Sequence, residues 1–143
     1  VHNQQEESEH IQPWINFADC LAVSQQELEQ YPGLIKTQQA VSRSKSLMSD
    51  YTSGSCAMYA FEKEIPKISQ VKLEGLAELF GITTGDAIEY FKLHTEADIR
   101  HAAVWRDILE SVWTDQEEKL IQVAAESIAA QNLLLDSCYE AYC

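Results

Sequence analysis

Three side chains in one short stretch of the sequence have the types and the spacing to bind a metal ion. His94, Asp98 and His101 stand at positions i, i+4 and i+7. In an α-helix these positions fall within roughly 60° of one another, so the two imidazoles and the carboxylate share one face. Imidazole and carboxylate groups are ordinary ligands of divalent metal ions. The stretch therefore predicts one wall of a metal site.

Glu62 is a further ligand candidate on a separate predicted helix. It follows Met58 by four residues and precedes Ile65 by three, so it shares their apolar face. A carboxylate on such a face costs several kcal/mol if it is buried without a partner. A metal ion would be that partner. The alternative is a side chain at the edge of the face that reaches water.

Further ligand candidates occur within the first ten residues. Glu7 and His10 form a Glu-x-x-His pair, the spacing that dimetal carboxylate bundles use, and Glu6 stands four residues before His10. The alternative interpretation is an acidic, solvated start of a helix. If either Glu7 or Glu6 is a ligand, these residues together with Glu62, His94, Asp98 and His101 offer three carboxylates and three imidazoles. That set suits two ions such as iron or manganese, and zinc is compatible with the ligand types.

The elements that position these residues are predicted to be helices, which makes the fold class all-α. The sequence has five Gly and three Pro, and no segment alternates polar and apolar residues with period two. Helices are predicted at about 3–23, 25–31, 34–51, 56–81 and 87–112, and a capping box at Thr114–Glu117 opens a last helix that continues to about 142. Pro66 should bend or split the fourth helix, Ser53-Gly54-Ser55 should end the third, and Gly81 should end the fourth. In the last helix we expect an inward face of Leu120, Ala124, Ile128, Leu135 and Cys138.

Length and charge limit the classes of function. A chain of 143 residues, 45% of them hydrophobic, predicts a single folded domain over 1–143. Its net charge of −13 argues against nucleic acid and anionic membranes as partners. No apolar run approaches the ~20 residues that span a bilayer. The four cysteines are scattered without a CxxC motif, which indicates free thiols and a cytoplasmic location.

Several motifs resemble those of the heme-oxygenase-like dimetal oxidases. These motifs are the His-x3-Asp-x2-His pattern at 94–101, the segment Tyr59-Ala-Phe-Glu-Lys-Glu-Ile-Pro66 and the segment that begins at Trp14. They are similar to the CADD-like branch of that family, within the TenA/PqqC superfamily. The resemblance implies a heme-oxygenase-like helical bundle. Members are longer than this chain, which begins with Val1 rather than Met, so we expect it to lack the N-terminal helices of the bundle.

The resemblance also implies a set of site residues. It gives metal-ligand roles to His10, Glu62, His94, Asp98 and His101. The family's first glutamate stands seven residues before the histidine, where this chain has Asn3, so Glu7 or Glu6 would take that role. Lys72 matches a catalytic lysine of the branch that makes p-aminobenzoate.

The activity implied is O2 activation by two iron ions, or by an iron and a manganese ion. The substrate would be a small apolar or aromatic molecule, or a side chain of the protein itself. Three alternatives remain: a helical interaction module that keeps the fold without catalysis, a cofactor-free TenA/PqqC-like protein, and a zinc- or manganese-dependent hydrolase. A homodimer is compatible with any of them.

Overall fold

The computed structural model describes residues 4–112 and 115–143, and side chains only from residue 11 onward. Seven α-helices lie in these ranges: α1 Gln4–Cys20, α2 Gln25–Gln30, α3 Ile35–Leu47, α4 Tyr51–Glu62, α5 Ile65–Phe80, α6 Asp86–Glu110 and α7 Glu117–Tyr142. No strand occurs among the residues described, and the all-α prediction is confirmed. None of the described helices is long and apolar enough to cross a membrane.

The chain divides into two compact units that interleave along the sequence. The first takes the residues up to Pro32 together with Pro66–Ala97, and the second takes Gly33–Ile65 together with Asp98–Cys143. Helix α6 begins in the first unit and ends in the second. Whether 1–143 behaves as one folding domain stays a prediction.

In the second unit, α7 packs along both α3 and α4. Leu120 is fully buried at the centre of an apolar cluster that also contains Leu47, Cys56, Ala57, Leu109 and Val123. Polar groups on these helices bond across the packed faces: Ser127 donates its hydroxyl to the carbonyl of Ala57, and Thr37 donates to Ser137. These bonds satisfy polar groups that burial would otherwise leave without partners.

In the first unit, aromatic rings hold α1 against the start of α6. Trp14 and Phe17 from α1 contact Tyr90 and Phe91, with ring centroids 4.7–6.4 Å apart. Edge-to-face and tilted pairs at these separations add to the stabilisation that burial of the rings provides. This cluster places His94, one turn after Tyr90, at a buried position.

The prediction that Ser53-Gly54-Ser55 ends a helix is wrong. These residues lie inside α4, and the break occurs earlier, between Leu47 and Tyr51. Asp50 caps the new helix, because its carboxylate accepts hydrogen bonds from the backbone N–H and the hydroxyl of Ser53. The Ser55 hydroxyl bonds back to the carbonyl of Tyr51, so both serines are compatible with the helix.

Two other boundary predictions are confirmed. The predicted split near Pro66 occurs, since α4 ends at Glu62 and Pro66 stands in the first turn of α5, where its missing N–H costs nothing. Helix α5 ends at Phe80, and Gly81 adopts φ +67 with its N–H bonded to the carbonyl of Ala77, the hydrogen bond of an αL C-cap.

The predicted inward face of α7 is only partly right. Leu120 is buried, but Ile128 and Leu135 are 48% and 58% exposed, and Cys138 is exposed. Small residues occupy the buried positions instead: Ser127, Ala130 and Ser137. Their size lets α3 and α4 approach this part of α7 closely, and Ile128 and Leu135 lie outside the contact.

Candidate metal site

Three of the predicted ligands meet in the second unit. Glu62, Asp98 and His101 each offer one ligand atom, and these atoms all lie within 4.8 Å of one another. Glu62 is the last residue of α4, whereas Asp98 and His101 stand three residues apart on α6. Asp98 is buried, and the other two are partly buried. Two carboxylates and one imidazole form a donor set that hard and borderline divalent ions prefer.

Asp98 is the best evidence that the cluster fits a cation. Its side chain is 4% exposed, and its Oδ1 accepts a hydrogen bond from His101 Nδ1 at 3.2 Å. Its Oδ2 is buried and has no hydrogen-bond partner among the described residues. An unsatisfied buried carboxylate oxygen costs about 1–3 kcal/mol or more, so an atom such as this one, or Gln131 Nε2, needs a physical explanation. A bound metal ion would remove that cost.

The His101 contact also determines which ring nitrogen could bind a metal. A carboxylate oxygen only accepts, so Nδ1 carries the proton of this bond. In the neutral ring, Nε2 then keeps its lone pair. Histidine ligands of metals commonly donate their other N–H to a carboxylate or a carbonyl in this manner, which fixes the ring and its tautomer.

His94 shows the same arrangement in the first unit. It is 7% exposed, and its Nδ1 donates to the carbonyl oxygen of Tyr90 at 2.6 Å. The imidazole also lies against the Tyr90 ring, with centroids 4.1 Å apart. In the neutral ring, Nε2 would again be the nitrogen that carries the lone pair. His94 precedes Asp98 by one turn of the continuous helix α6, as the sequence pattern predicted.

The remaining predicted ligands lie outside the described side chains. Glu6, Glu7 and His10 fall in the first turns of α1, where the structure describes only the backbone. Their roles as ligands stay predictions from the sequence.

Lys72, the predicted catalytic lysine, lies on α5 in the first unit. It is exposed and lines a cavity of about 480 Å³. Trp14, Phe17 and Phe91 line the same cavity, so the amine borders an aromatic surface. Its catalytic role stays a prediction.

Cys56 is buried in the second unit. Burial raises the pKa of its thiol, and Sγ donates to the carbonyl oxygen of Leu120 at 3.2 Å. Both facts favour the thiol over the reactive thiolate. All four cysteines are free, as the sequence predicted.

Trp105 is a residue of the site that the sequence analysis missed. Its indole Nε1 donates a hydrogen bond to Glu62 Oε2 at 2.7 Å. The signal was present in the spacing, since Trp105 follows His101 by four residues and Asp98 by seven. It therefore continues the ligand face of α6 by one turn.

Comparison with known proteins agrees with this donor set. The family model described as "Iron-containing redox enzyme" matches residues 2–134. The chain is 32% identical to the 4-aminobenzoate synthase of Nitrosomonas europaea over 148 residues, covering 100% of this chain and 60% of that protein. It is 30% identical to the 4-aminobenzoate synthase of Chlamydia trachomatis over 133 residues, covering 90% of this chain and 56% of that protein.

A third protein of the same name, from Chlamydia pneumoniae, is 34% identical over 105 residues, covering 72% of this chain and 46% of that protein. The chain thus spans between 46% and 60% of the length of these relatives.

Proposed function

This chain belongs to the family of iron-containing redox enzymes, and on that premise we propose that it is an O2-dependent oxidase of the 4-aminobenzoate synthase type. The substrate would be a small aromatic molecule or an aromatic side chain of the protein itself. The relatives' name supports this assignment, although each relative is longer than this chain.

The observation that carries the proposal is the cluster of Glu62, Asp98 and His101 with its unsatisfied oxygen. Asp98 Oδ2 is buried without a hydrogen-bond partner among the described residues. Asp98, Glu62 and His101 each also offer one ligand atom, and these atoms lie within 4.8 Å of one another. A helical interaction module without catalysis would gain nothing from a buried, half-satisfied carboxylate. The donor set therefore favours a metal enzyme.

Iron is the metal that the family description favours, and manganese suits the same oxygen and nitrogen ligands. The proposal of two metal ions is supported by the sequence resemblance. Glu7 or Glu6, His10 and His94 are the further ligand candidates. Of these, His94 has the Nδ1–H to carbonyl bond that metal-binding histidines commonly make.

When bound, iron supplies the one-electron chemistry that O2 requires, and the protein supplies the surroundings. Asp98 offers a buried negative charge, and its Oδ1 orients the ring of His101. Burial keeps water away from the Asp98 side chain and so strengthens the attraction between ligands and cation. The ammonium of Lys72, beside an aromatic-lined cavity, would attract the acidic group of an aromatic substrate.

Metal loading and O2 consumption test the proposal. The full chain is loaded anaerobically with Fe²⁺, its metal content is measured, and O2 uptake and 4-aminobenzoate are followed after mixing with air. We expect bound iron and O2 uptake in the wild type, and at least a tenfold loss of bound metal in Asp98→Asn and His101→Ala.

Glu64→Gln is the matched control, because Glu64 is an exposed carboxylate two residues after Glu62. It should bind iron as the wild type does. A wild-type chain without iron, or ligand variants that keep their iron, would contradict the metal site. Bound iron without O2 uptake would contradict the oxidase assignment alone.

A further inference from the structure

We infer that Trp105 is a positioning residue that fixes the orientation of the Glu62 carboxylate in the metal site, an inference that rests on the proposed function. The indole Nε1–H donates to Glu62 Oε2 at 2.7 Å. This bond joins α6, which carries Asp98 and His101, to the end of α4, which carries Glu62. Trp105 thus links the ligand from one helix to the helix that supplies the other two.

Glu62 needs such a restraint because of its place in the helix. It is the last residue of α4, followed by the C-cap Lys63, so helical backbone continues on only one side of it. The rotation of a glutamate carboxylate about its last torsion angle is broad and weakly determined. A side chain with this freedom presents its oxygens to a metal in many orientations. A directional hydrogen bond selects among them.

An indole N–H is suited to this task. It donates and cannot accept, so its partner must be an oxygen of the carboxylate. Hydrogen bonds to an ionised acceptor are shorter and about twice as strong as those between neutral groups, and 2.7 Å lies in the range of such bonds. A carboxylate offers about four lone-pair sites, so one bond to Oε2 still leaves acceptor sites for a cation.

The indole is itself held on a fixed part of the second unit. Trp105 follows His101 by four residues on α6, and Leu109, four residues further, is buried in the apolar core. The spacing puts His101, Trp105 and Leu109 on one face of the helix. The hydrogen bond from Trp105 therefore holds the Glu62 carboxylate in a fixed position relative to the helical face that carries His101.

Cobalt binding tests this role. The full chain is titrated with Co²⁺ in three forms: wild type, Trp105→Phe, and a chain in which residue 105 is 3-benzothienylalanine, which keeps the ring shape and replaces the N–H by sulfur. We expect both substitutions to weaken Co²⁺ binding by about 10–100-fold, the loss typical when a partner of a metal ligand is removed. The visible Co²⁺ bands should also change in position or intensity, because they report ligand geometry.

Leu109→Ala is the matched control for lost packing. It opens a cavity in the core one turn beyond Trp105 without removing a hydrogen bond to Glu62, and it should destabilise the fold. A purely structural role for Trp105 predicts that Leu109→Ala and the Trp105 substitutions affect Co²⁺ affinity alike, with unchanged bands. A positioning role predicts that, of the three variants, only Leu109→Ala keeps a Co²⁺ affinity and Co²⁺ bands close to those of the wild type.

The outcomes separate this inference from the proposed function. A wild-type chain that binds no Co²⁺ overturns the metal site and the role of Trp105 together. A wild-type chain that binds Co²⁺, with equal affinity and identical bands in both Trp105 substitutions, overturns only the positioning role. Weakened binding with altered bands in both substitutions, and not in Leu109→Ala, supports it.

Discussion

The atom with the clearest consequence for function is Asp98 Oδ2. It is buried and unpaired among the described residues, while Oδ1 of the same carboxylate is bonded to His101. In a protein without metal, this oxygen is a net cost to folding. In a protein with metal, it is a ligand in a region of low dielectric. Removal of the Asp98 charge should therefore not destabilise the metal-free protein, whereas it should weaken metal binding.

Replacing Asp98 by Asn tests that opposition. Without metal, Asp98→Asn should be as stable as the wild type or more stable by up to about 1 kcal/mol, because the buried charge is gone. Addition of Mn²⁺ at about 100 times its Kd should stabilise the wild type by about 2.7 kcal/mol and the variant hardly at all. Thermal unfolding with and without Mn²⁺ measures both. A variant that is less stable without metal and keeps the full Mn²⁺ effect would contradict the role of Asp98.

At the scale of residues, the sequence predicts which side chains are neighbours wherever their spacing along one helix is sufficient. Asp98 and His101 share a face because they lie on one helix, and Glu62 was recognisable as a carboxylate beside apolar positions. The bond from Trp105 to Glu62 was not predictable, since it depends on how α6 passes the end of α4. That packing is a tertiary property with no periodic signal.

Helix α4 is the element in which local propensity and packing disagree. Glycine and serine inside a helix are unfavourable by propensity, yet α4 runs through Ser53, Gly54 and Ser55. Asp50 begins the helix, and both serines make hydrogen bonds that the helix tolerates. The composition of the segment predicts a break, but Asp50 caps a helix that begins before the segment and continues through it.

Gly54→Ala tests whether α4 is helical at this position. A Cβ there would meet Met48 at 3.6 Å, an ordinary van der Waals contact. Alanine should therefore stabilise the protein by about 0.5–1 kcal/mol, through the lower backbone entropy of its unfolded state. Urea unfolding measures the change. Gly81→Ala is the contrasting control, since its φ of +67 makes it destabilising. Destabilisation by Gly54→Ala would mean that α4 begins after this segment.

The cap of α4 gives a pH dependence. The pKa of Asp50 is lowered from 3.8 to about 2. The largest cause is the hydrogen bond that the Ser53 backbone N–H donates, and the second is the bond from Lys119. A carboxyl whose folded pKa lies below its unfolded value stabilises the protein above the unfolded value. That stabilisation is lost as pH falls from about 4 towards 2.

Asn is also a good cap residue but does not titrate, so Asp50→Asn isolates the charge. At pH 7 the wild type should unfold at a higher temperature than Asp50→Asn, because the variant lacks the ion pair with Lys119. The difference in melting temperature should shrink between pH 4 and 2.5. A difference that stays constant over this range would contradict the lowered pKa of Asp50.

At the scale of the whole molecule, the all-α class followed from composition and periodicity, and three of the seven metal-ligand candidates meet in the structure. The division into two units did not follow, because α6 belongs to both and carries no break at Ala97. The inward face of α7 was misjudged for a related reason. Leu135 looked like a core residue, but beyond Val123 the buried positions of α7 are two serines and an alanine. Close approach of helices selects small residues, and hydrophobicity alone does not reveal it.

The most direct test of the central claim is anomalous X-ray scattering at the iron edge, from crystals of the chain loaded anaerobically with Fe²⁺. The account predicts an iron peak at about 2.0–2.3 Å from one oxygen each of Glu62 and Asp98 and from a ring nitrogen of His101. A two-metal site adds a second peak at about 3.5–4 Å from the first. Fully loaded crystals with no anomalous peak beside Glu62, Asp98 and His101 would contradict the claim.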